Sequence, residues 1–361
     1  MSTIRLMNGR DIGDYLKPYI VAELNTSHFG DIEIARDMIR QAKAAGCDCV
    51  KFQSWSAETL YCDSYYKDNA IAKRIVKKFS LENVQLQALS QYAAEVGIDF
   101  SSTPYSIDEA RFLVEYCNVP FIKIASMELD NLPYLTDLGK LGVPLVLSTG
   151  MGTSNEISRA VNTIQSTGNQ QLVILHCTSV YPSTPEIIRL NNIVGLRTEF
   201  PRYPIGYSDH TIGIEIPIAS VALGASLLEK HFTLDSKRIG MDNQMATEPN
   251  EMQAMVSACR NVHSAMGGTS RLLCSEEQEQ IPKMRRSMVS KADLPVGTVI
   301  APEHIEFKRP GTGVSPADHE QYIGRTVRVA IERGAIIQPE VLSENGESAP
   351  PPAQQTLPNP K

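Results

Sequence analysis

The chain has 361 residues, 42% of them hydrophobic, and a formal net charge of −7. That is enough for one large core with a smaller domain beside it, and the wrong sign for a protein whose main partner is nucleic acid. No apolar segment is long enough to cross a bilayer, and Met1-Ser2-Thr3-Ile4-Arg5 lacks the apolar run of a secretory signal, so a cytoplasmic protein without membrane contact is expected.

Short β-branched runs alternate with amphipathic segments at intervals of about 25 to 35 residues, the pattern of repeated βα units. The predicted strands are Tyr19–Glu23, Cys49–Gln53, Ile98–Ser101, Phe121–Ala125, Pro144–Ser148, Leu172–His176, Pro204–Tyr207 and Leu227–His231. Helical patterns fall between them, over Ile32–Ala45, Leu81–Val96, Ser106–Tyr116 and Asn155–Gln165. Eight such units predict an α/β fold, a (β/α)8 TIM barrel occupying 1–274. The seven cysteines are odd in number and irregularly spaced, several of them inside these hydrophobic runs, which suits reduced, buried thiols rather than disulfides. Cys47 and Cys49 lack the second pair that a zinc site needs.

In such barrels the active site is built from the C-terminal strand ends and the loops beyond them. Here those ends are polar. In chain order they carry Glu23, then Lys51 and Gln53, Ser101-Ser102-Thr103, Lys123 and Ser126, Ser148-Thr149-Gly150, and His176-Cys177-Thr178-Ser179. The last two bring Ser208, Asp209 and His210, then Glu229 and His231. Each residue alone has an ordinary explanation: a hydroxyl capping a helix, a lysine snorkelling at a rim, a histidine hydrogen-bonded in a core. Their convergence on one face carries more weight. Two lysines among hydroxyl donors suit a small phosphate-bearing anion, and the lack of a Gly-Lys-Ser/Thr loop argues against a nucleotide. His210 and His231, each closing a short hydrophobic run, form a candidate metal pair with positions left open to polarise a carbonyl oxygen. Glu23, Glu128 and Glu229 are the nearby carboxylates able to move protons, or in one case to complete a metal shell. The combination points to aldehyde chemistry.

Several segments also resemble the sialic acid synthase family, which includes legionaminic and pseudaminic acid synthases. They are Val50-Lys51-Phe52-Gln53, Phe100-Ser101-Ser102-Thr103-Pro104-Tyr105-Ser106, Ile122-Lys123-Ile124-Ala125-Ser126 and Leu147-Ser148-Thr149-Gly150-Met151. His176-Cys177-Thr178-Ser179-Val180-Tyr181-Pro182, Gly206-Tyr207-Ser208-Asp209-His210-Thr211 and Glu229-Lys230-His231-Phe232 continue the match in order over nearly the whole chain.

The resemblance implies condensation of phosphoenolpyruvate with a hexose-type aldehyde and water, giving a nine-carbon 2-keto-3-deoxy acid and inorganic phosphate. It implies a divalent metal, manganese or magnesium, on His210 and His231, which activates the aldehyde. Phosphoenolpyruvate would be bound by Lys51, Thr103, Lys123, Ser126, Ser148, Ser179 and Ser208. The aldose acceptor would touch Gln53, Tyr181, Glu229 and Asp242, with Glu23 and Glu128 handling protons or the attacking water. C3 of the enol would attack the aldehyde carbon, C2 would take up water, and the tetrahedral intermediate would lose phosphate by C–O cleavage.

Beyond the barrel, the charged stretch 275–285 is expected to be a linker and 286–345 a small β-rich domain, since its strand-like runs alternate with Gly and Pro turns. It resembles the antifreeze-like (SAF) domain that ends sialic acid synthases. The resemblance implies a domain-swapped homodimer in which Arg309 reaches the acceptor in the partner's barrel. The Pro-, Gln-, Ser- and Asn-rich end, 346–361, is expected to be disordered.

Two segments depart from the family. Where it usually reads Ala-Glu-Ile-Gly-x-Asn-His-Asn-Gly, this chain has Ala22-Glu23-Leu24-Asn25-Thr26-Ser27-His28-Phe29-Gly30, losing the Asn before the His. Where it usually reads Gly-Pro-Asp-His-x-Ala-Ser-Leu, this chain has Gly240-Met241-Asp242-Asn243-Gln244-Met245-Ala246-Thr247, keeping only Asp242 of the polar pair. N-acetylmannosamine is the default acceptor, and a hydrophobic Met245 would favour a deoxy or acylated one. Two other readings stand beside this one: a phosphoenolpyruvate-dependent aldol synthase making a seven- or eight-carbon keto acid, and a non-enzymatic carbohydrate-binding role.

Overall fold

The computed structural model describes residues 2–344 and divides into two compact units between Gly267 and Gly268. The first unit opens with a hairpin, β1 (Thr3–Arg5) and β2 (Asp11–Gly13), then builds eight parallel strands. They are β3 (Tyr19–Glu23), β4 (Cys49–Ser54), β5 (Asp99–Pro104), β6 (Ile122–Ile124), β7 (Leu145–Ser148), β8 (Leu172–Cys177), β9 (Ile205–Asp209) and β10 (Leu227–His231). All eight predicted strands are present. Helices cover the outer face of such a sheet once it curls and apolar side chains fill its lower interior, so the strands read as continuous apolar runs rather than alternating ones.

Each strand pairs with its sequence neighbours, and β10 returns to pair with β3. Only β5 and β6 lack a backbone ladder between them, and there the Ser101 hydroxyl donates to the Phe121 carbonyl at 2.8 Å. The barrel is therefore nearly closed. Around it the predicted helices form with local signals intact. Asp31 caps Ile32–Ala44, Thr153 and Glu156 form a reciprocal capping box on Ser154–Ser166, and Gly97 ends Asn83–Val96 in the left-handed conformation that favours glycine.

Strand alternation divides the side chains. Ile20, Ala22, Val50, Phe52, Leu145, Leu147 and Ile174 point outward into the core shared with the helices. Tyr19, Val21, Cys49, Phe121, Val146, Val173, Leu175 and Leu227 point inward and fill the lower barrel together with Ile4, Leu6 and Ile12 of the hairpin. The hairpin is thus a plug, and two three-residue strands are too short to carry a readable period.

Helix Pro249–Met266 ends the first unit, so 268–274 group with the second unit rather than the barrel. The stretch 275–285 carries two one-turn helices, Ser275–Gln278 and Ile281–Met284. Beyond it, β11 (Ser287–Ser290) and β12 (Ile305–Lys308) pair antiparallel over a small core that includes Met288, Leu294, Ile300, Val327 and Ile337. The tail expected over 346–361 lies outside the described residues. Among the described residues no helix is long and apolar enough to cross a membrane.

Ile12 is almost fully buried in the plug. Ile12→Ala is expected to destabilise the protein by about 2–5 kcal/mol, read as a lower urea midpoint with unchanged slope.

Candidate active site

The inward columns that are apolar at the bottom turn polar at the top. In β3, Tyr19 and Val21 are followed two residues on by Glu23; in β4, Cys49 by Lys51 and Gln53; in β7, Val146 by Ser148; in β10, Leu227 by Glu229 and His231. The parallel register sets these side chains beside one another, Glu23 next to Lys51 and next to His231, and Glu229 next to Ser208. Gly206 faces inward on β9, where a Cβ would run into the Leu227 carbonyl and the Leu175 side chain.

At this level lies a cavity of about 380 Å³. Every predicted site residue except Glu128 and Arg309 lines it. Lys51 forms a buried ion pair with Glu23 and donates to Thr103 Oγ1 at 2.9 Å. Lys123 donates to Ser148 Oγ at 2.7 Å and to the Ile124 carbonyl at 3.0 Å. Glu229 stands between the two lysines, 3.6 Å from Lys51 and 4.0 Å from Lys123, and accepts from Ser208 Oγ at 3.0 Å. Glu23 Oε1 accepts from the Asn25 amide at 2.9 Å and from Gln53 at 3.2 Å.

Burial sets the charge states here. It pushes the Glu23 carboxyl up to about 6 against the pull of Lys51, with the Glu229 charge adding to the rise. Burial also acts to raise Glu229, but Lys123 and Lys51 outweigh it and hold that carboxyl below its ordinary range. Burial lowers Lys123, whereas Glu229 and Glu23 overcome the same effect at Lys51 and raise it.

The two histidines face each other with ring centroids 5.3 Å apart, and Tyr181 lies 4.2 Å from His210. His210 Nδ1 sits 2.8 Å from the Thr178 carbonyl, which fixes the ring and its tautomer. Burial pushes His231 well below its ordinary value, with His210 and Lys51 acting in the same direction. Two oriented imidazoles beside a carboxylate fit a divalent cation as part of its ligand set. Among the described residues no group of three or more His, Cys, Asp or Glu closes into a full cage, so bound substrate or water would supply the other positions.

The family model described as NeuB family matches residues 38–271, and the SAF domain model matches 285–342. The chain belongs to the NeuB family. The N-acetylneuraminate-9-phosphate synthase of Homo sapiens is 33% identical over 353 residues, covering 95% of this chain and 98% of that protein. The N,N'-diacetyllegionaminic acid synthase of Legionella pneumophila is 32% identical over 351 residues, covering 93% and 98%. Among solved structures, N-acetylneuraminic acid (sialic acid) synthetase from Leptospira borgpetersenii serovar Hardjo-bovis, in complex with citrate, superposes with a TM-score of 0.71 at 30% identity over 78% of this chain and 96% of that one. This NeuB-family protein is accordingly an enzyme, an acid synthase whose barrel is followed by a SAF domain.

Its departures from the family pattern fall unevenly. Met245 does not line the cavity: the short helical turn Asn243–Met245 directs it into the interior, where it is buried. Met241, Met127 and Met151 line the cavity instead. Ser27 is buried away from the cavity. Glu128 ends the turn after β6 and accepts from Asn131 at 2.7 Å, outside the cavity lining. Arg309 belongs to the second unit and is exposed.

Among the lining residues that sequence reasoning did not assign to the site are Cys177 and Asn25. Cys177 extends the inward column of β8, 3.6 Å from Ser126 Oγ; burial raises its thiol, but hydrogen bonding and charge from His210 leave it below its ordinary value. Its place two residues beyond Leu175 was the available signal. Asn25 stands where the family motif has glycine and donates its side-chain amide to Asp242.

Behind the histidines, Lys230 and Asp209 form a fully buried pair at 2.6 Å that ties β10 to β9, with Tyr207 and Thr211 donating to the same carboxylate. Lys230→Met leaves Asp209 buried and unpaired, and should cost about 3–5 kcal/mol in denaturant unfolding. The double variant Asp209→Asn/Lys230→Met should recover part of that loss.

Proposed function

We propose that this enzyme is a nonulosonic acid synthase that joins phosphoenolpyruvate, a mannosamine-type aldose and water into a nine-carbon 2-keto-3-deoxy acid, releasing inorganic phosphate. The observation that carries the reading is the two buried lysines, their hydroxyl partners, two carboxylates and the histidine pair around one cavity. A sugar-binding scaffold has no need for that combination.

In this reading Lys51 with Thr103, and Lys123 with Ser148, hold the anionic groups of phosphoenolpyruvate, with Ser126, Ser179 and Ser208 as further donors. His210 and His231 hold a divalent metal, manganese or magnesium, which when bound supplies Lewis-acid polarisation of the acceptor carbonyl. Gln53, Tyr181, Glu229 and Asp242 position the aldose so that its aldehyde carbon meets C3 of the enol. The C3–C bond forms with the enol π electrons, and the aldehyde oxygen takes up a proton. Water then adds at C2. Glu23 accepts the proton of that water, and the C2–O bond to phosphate breaks as the ketone forms. A carboxyl near 6 is suited to hold and return that proton around neutral pH. Glu128 is left out of the chemistry because it does not line the cavity.

The proposal extends to a homodimer in which Arg309 of the SAF domain reaches the partner's barrel, supported by the SAF match and by the exposure of Arg309.

Phosphate release from phosphoenolpyruvate, with a panel of aldoses and with manganese or chelator, tests the reaction. Metal-dependent release with at least one aldose is expected, and His210→Ala or His231→Ala should abolish it while leaving the circular dichroism spectrum unchanged. Full activity in either variant would reject the metal assignment.

Glu23 gives a signed pH prediction. Its accepting form is the carboxylate, populated above about 6, so kcat/KM should fall as pH drops through about 6 and be flat above it. Glu23→Gln should lose about 10²–10⁴-fold in kcat, with the residual activity lacking that acid limb.

A further inference from the structure

Of the two metal-site histidines, His210 is the less secured by the sheet. The ladder between β9 and β10 ends at the register pair Asp209 and Lys230, and β9 itself ends at Asp209, whereas His231 is still paired with Glu23 of β3. A ligand just past a strand end keeps its aim only where its neighbours are fixed. Lys230 fixes both of them. Its ammonium donates to the Asp209 carboxylate at 2.6 Å and to the Thr211 carbonyl, the groups on either side of His210. The same carboxylate accepts from the Thr211 amide at 3.3 Å and hydroxyl at 2.9 Å, which closes the turn around His210, and from Tyr207 at 2.7 Å. The histidine's own groups are tied to the loop after β8, its ring to the Thr178 carbonyl and its carbonyl to the Ser183 amide at 2.9 Å.

Stability does not by itself account for the pair. Asp209 and Lys230 are each 1% exposed, and neither lines the cavity. Two charges taken out of water lose in hydration about what their attraction returns, and apolar side chains of that volume fill a core equally well. The other outward positions of these strands are apolar, Ile205 and Tyr207 on β9 and Leu228 on β10. Charge appears only in the last outward pair, the one that flanks the histidines. What charge-assisted hydrogen bonds add there is direction.

We propose that Lys230 is a positioning residue of the metal centre: acting through Asp209 and Thr211, it sets the His210 imidazole relative to His231 and thereby the affinity of the two histidines for a divalent cation. The inference rests on the metal assignment of those histidines and adds the residue that holds their geometry. Losing the clamp falls on metal binding and leaves phosphoenolpyruvate, held at Lys51 and Lys123, in place. The sign of the effect separates geometry from charge. Removing a nearby positive charge by itself favours a bound cation, so weaker metal binding in Lys230→Met runs against electrostatics. Asp209→Asn/Lys230→Met removes one charge of each sign and leaves geometry as the main change.

The experiment titrates manganese into the full chain with phosphoenolpyruvate present, following the electron paramagnetic resonance signal of free Mn2+, for the wild type, Lys230→Met and the double variant. Both variants should raise the Kd for Mn2+ by about tenfold or more, the usual size of a lost partner behind a metal ligand, with phosphoenolpyruvate binding unchanged. A wild-type Kd for Mn2+ in the double variant overturns the proposal and leaves the pair a packing feature, whatever its effect on unfolding. Should the double variant not fold, Thr211→Val takes its place, since it removes one hydroxyl from the Asp209 carboxylate and keeps the ion pair. The same shift in smaller measure is then expected, and an unchanged Kd overturns the proposal. If the wild type binds no Mn2+, the metal assignment fails separately, and nitrogen-15 NMR of the histidine rings decides: loss of the slowly exchanging His210 Nδ1 proton in the variant upholds the clamp, and its retention overturns it.

Discussion

The site depends on strand register. Each barrel strand is buried on both faces, and successive side chains point to opposite sides, so a slip of one residue in β3 would replace Tyr19, Val21 and Glu23 inside the barrel by Ile20, Ala22 and Leu24. The lower barrel would then lose its aromatic filling and the upper barrel its carboxylate together. One set of contacts therefore fixes both the packing and the chemistry. The outward-facing Lys230–Asp209 pair contributes to the same end, because it joins two strands at neighbouring positions just behind the histidines. Breaking it would loosen the elements that aim His210 and His231.

Within that frame the two lysines of the cavity are unequally matched. Lys51 contacts Glu23 directly and has Glu229 at 3.6 Å, and its charged form is favoured. Lys123 has only Glu229, at 4.0 Å, with Ser148 and a backbone carbonyl as its hydrogen-bond partners, and burial lowers it. A small anion arriving beside Lys123 supplies the countercharge that this lysine lacks. Glu23 is the reverse case: Lys51 supports its carboxylate against burial, so in the proposed reading a substrate anion that also engaged Lys51 would favour the protonated form.

Much of this was legible in the sequence, for reasons that can be named. Parallel strands buried on both faces leave unbroken apolar runs, so β3 and β10 could be read to their end residues, and their polar termini marked the rim. The plug hairpin could not be read, since three-residue strands have no period and their partners lie scattered through the barrel. Met245 stood for a specificity wall on sequence position alone. The structure gives that place to Met241, because the intervening turn rotates the chain and Asn243 anchors it to the carbonyls of Asp235 and Arg238 at 2.5 and 2.6 Å. A turn of this kind decides which of two methionines faces the cavity, and no periodicity reports it.

Asn25 was hidden for a different reason: its placement joins a left-handed backbone to a carboxylate more than two hundred residues away in the chain. Asparagine is among the few non-glycine residues that visit the left-handed region, because its short amide can bond locally. Here its backbone amide bonds to Glu23 and its side-chain amide to Asp242, so the two carboxylates on this side of the cavity are linked through one residue. Glycine would make the first bond and not the second.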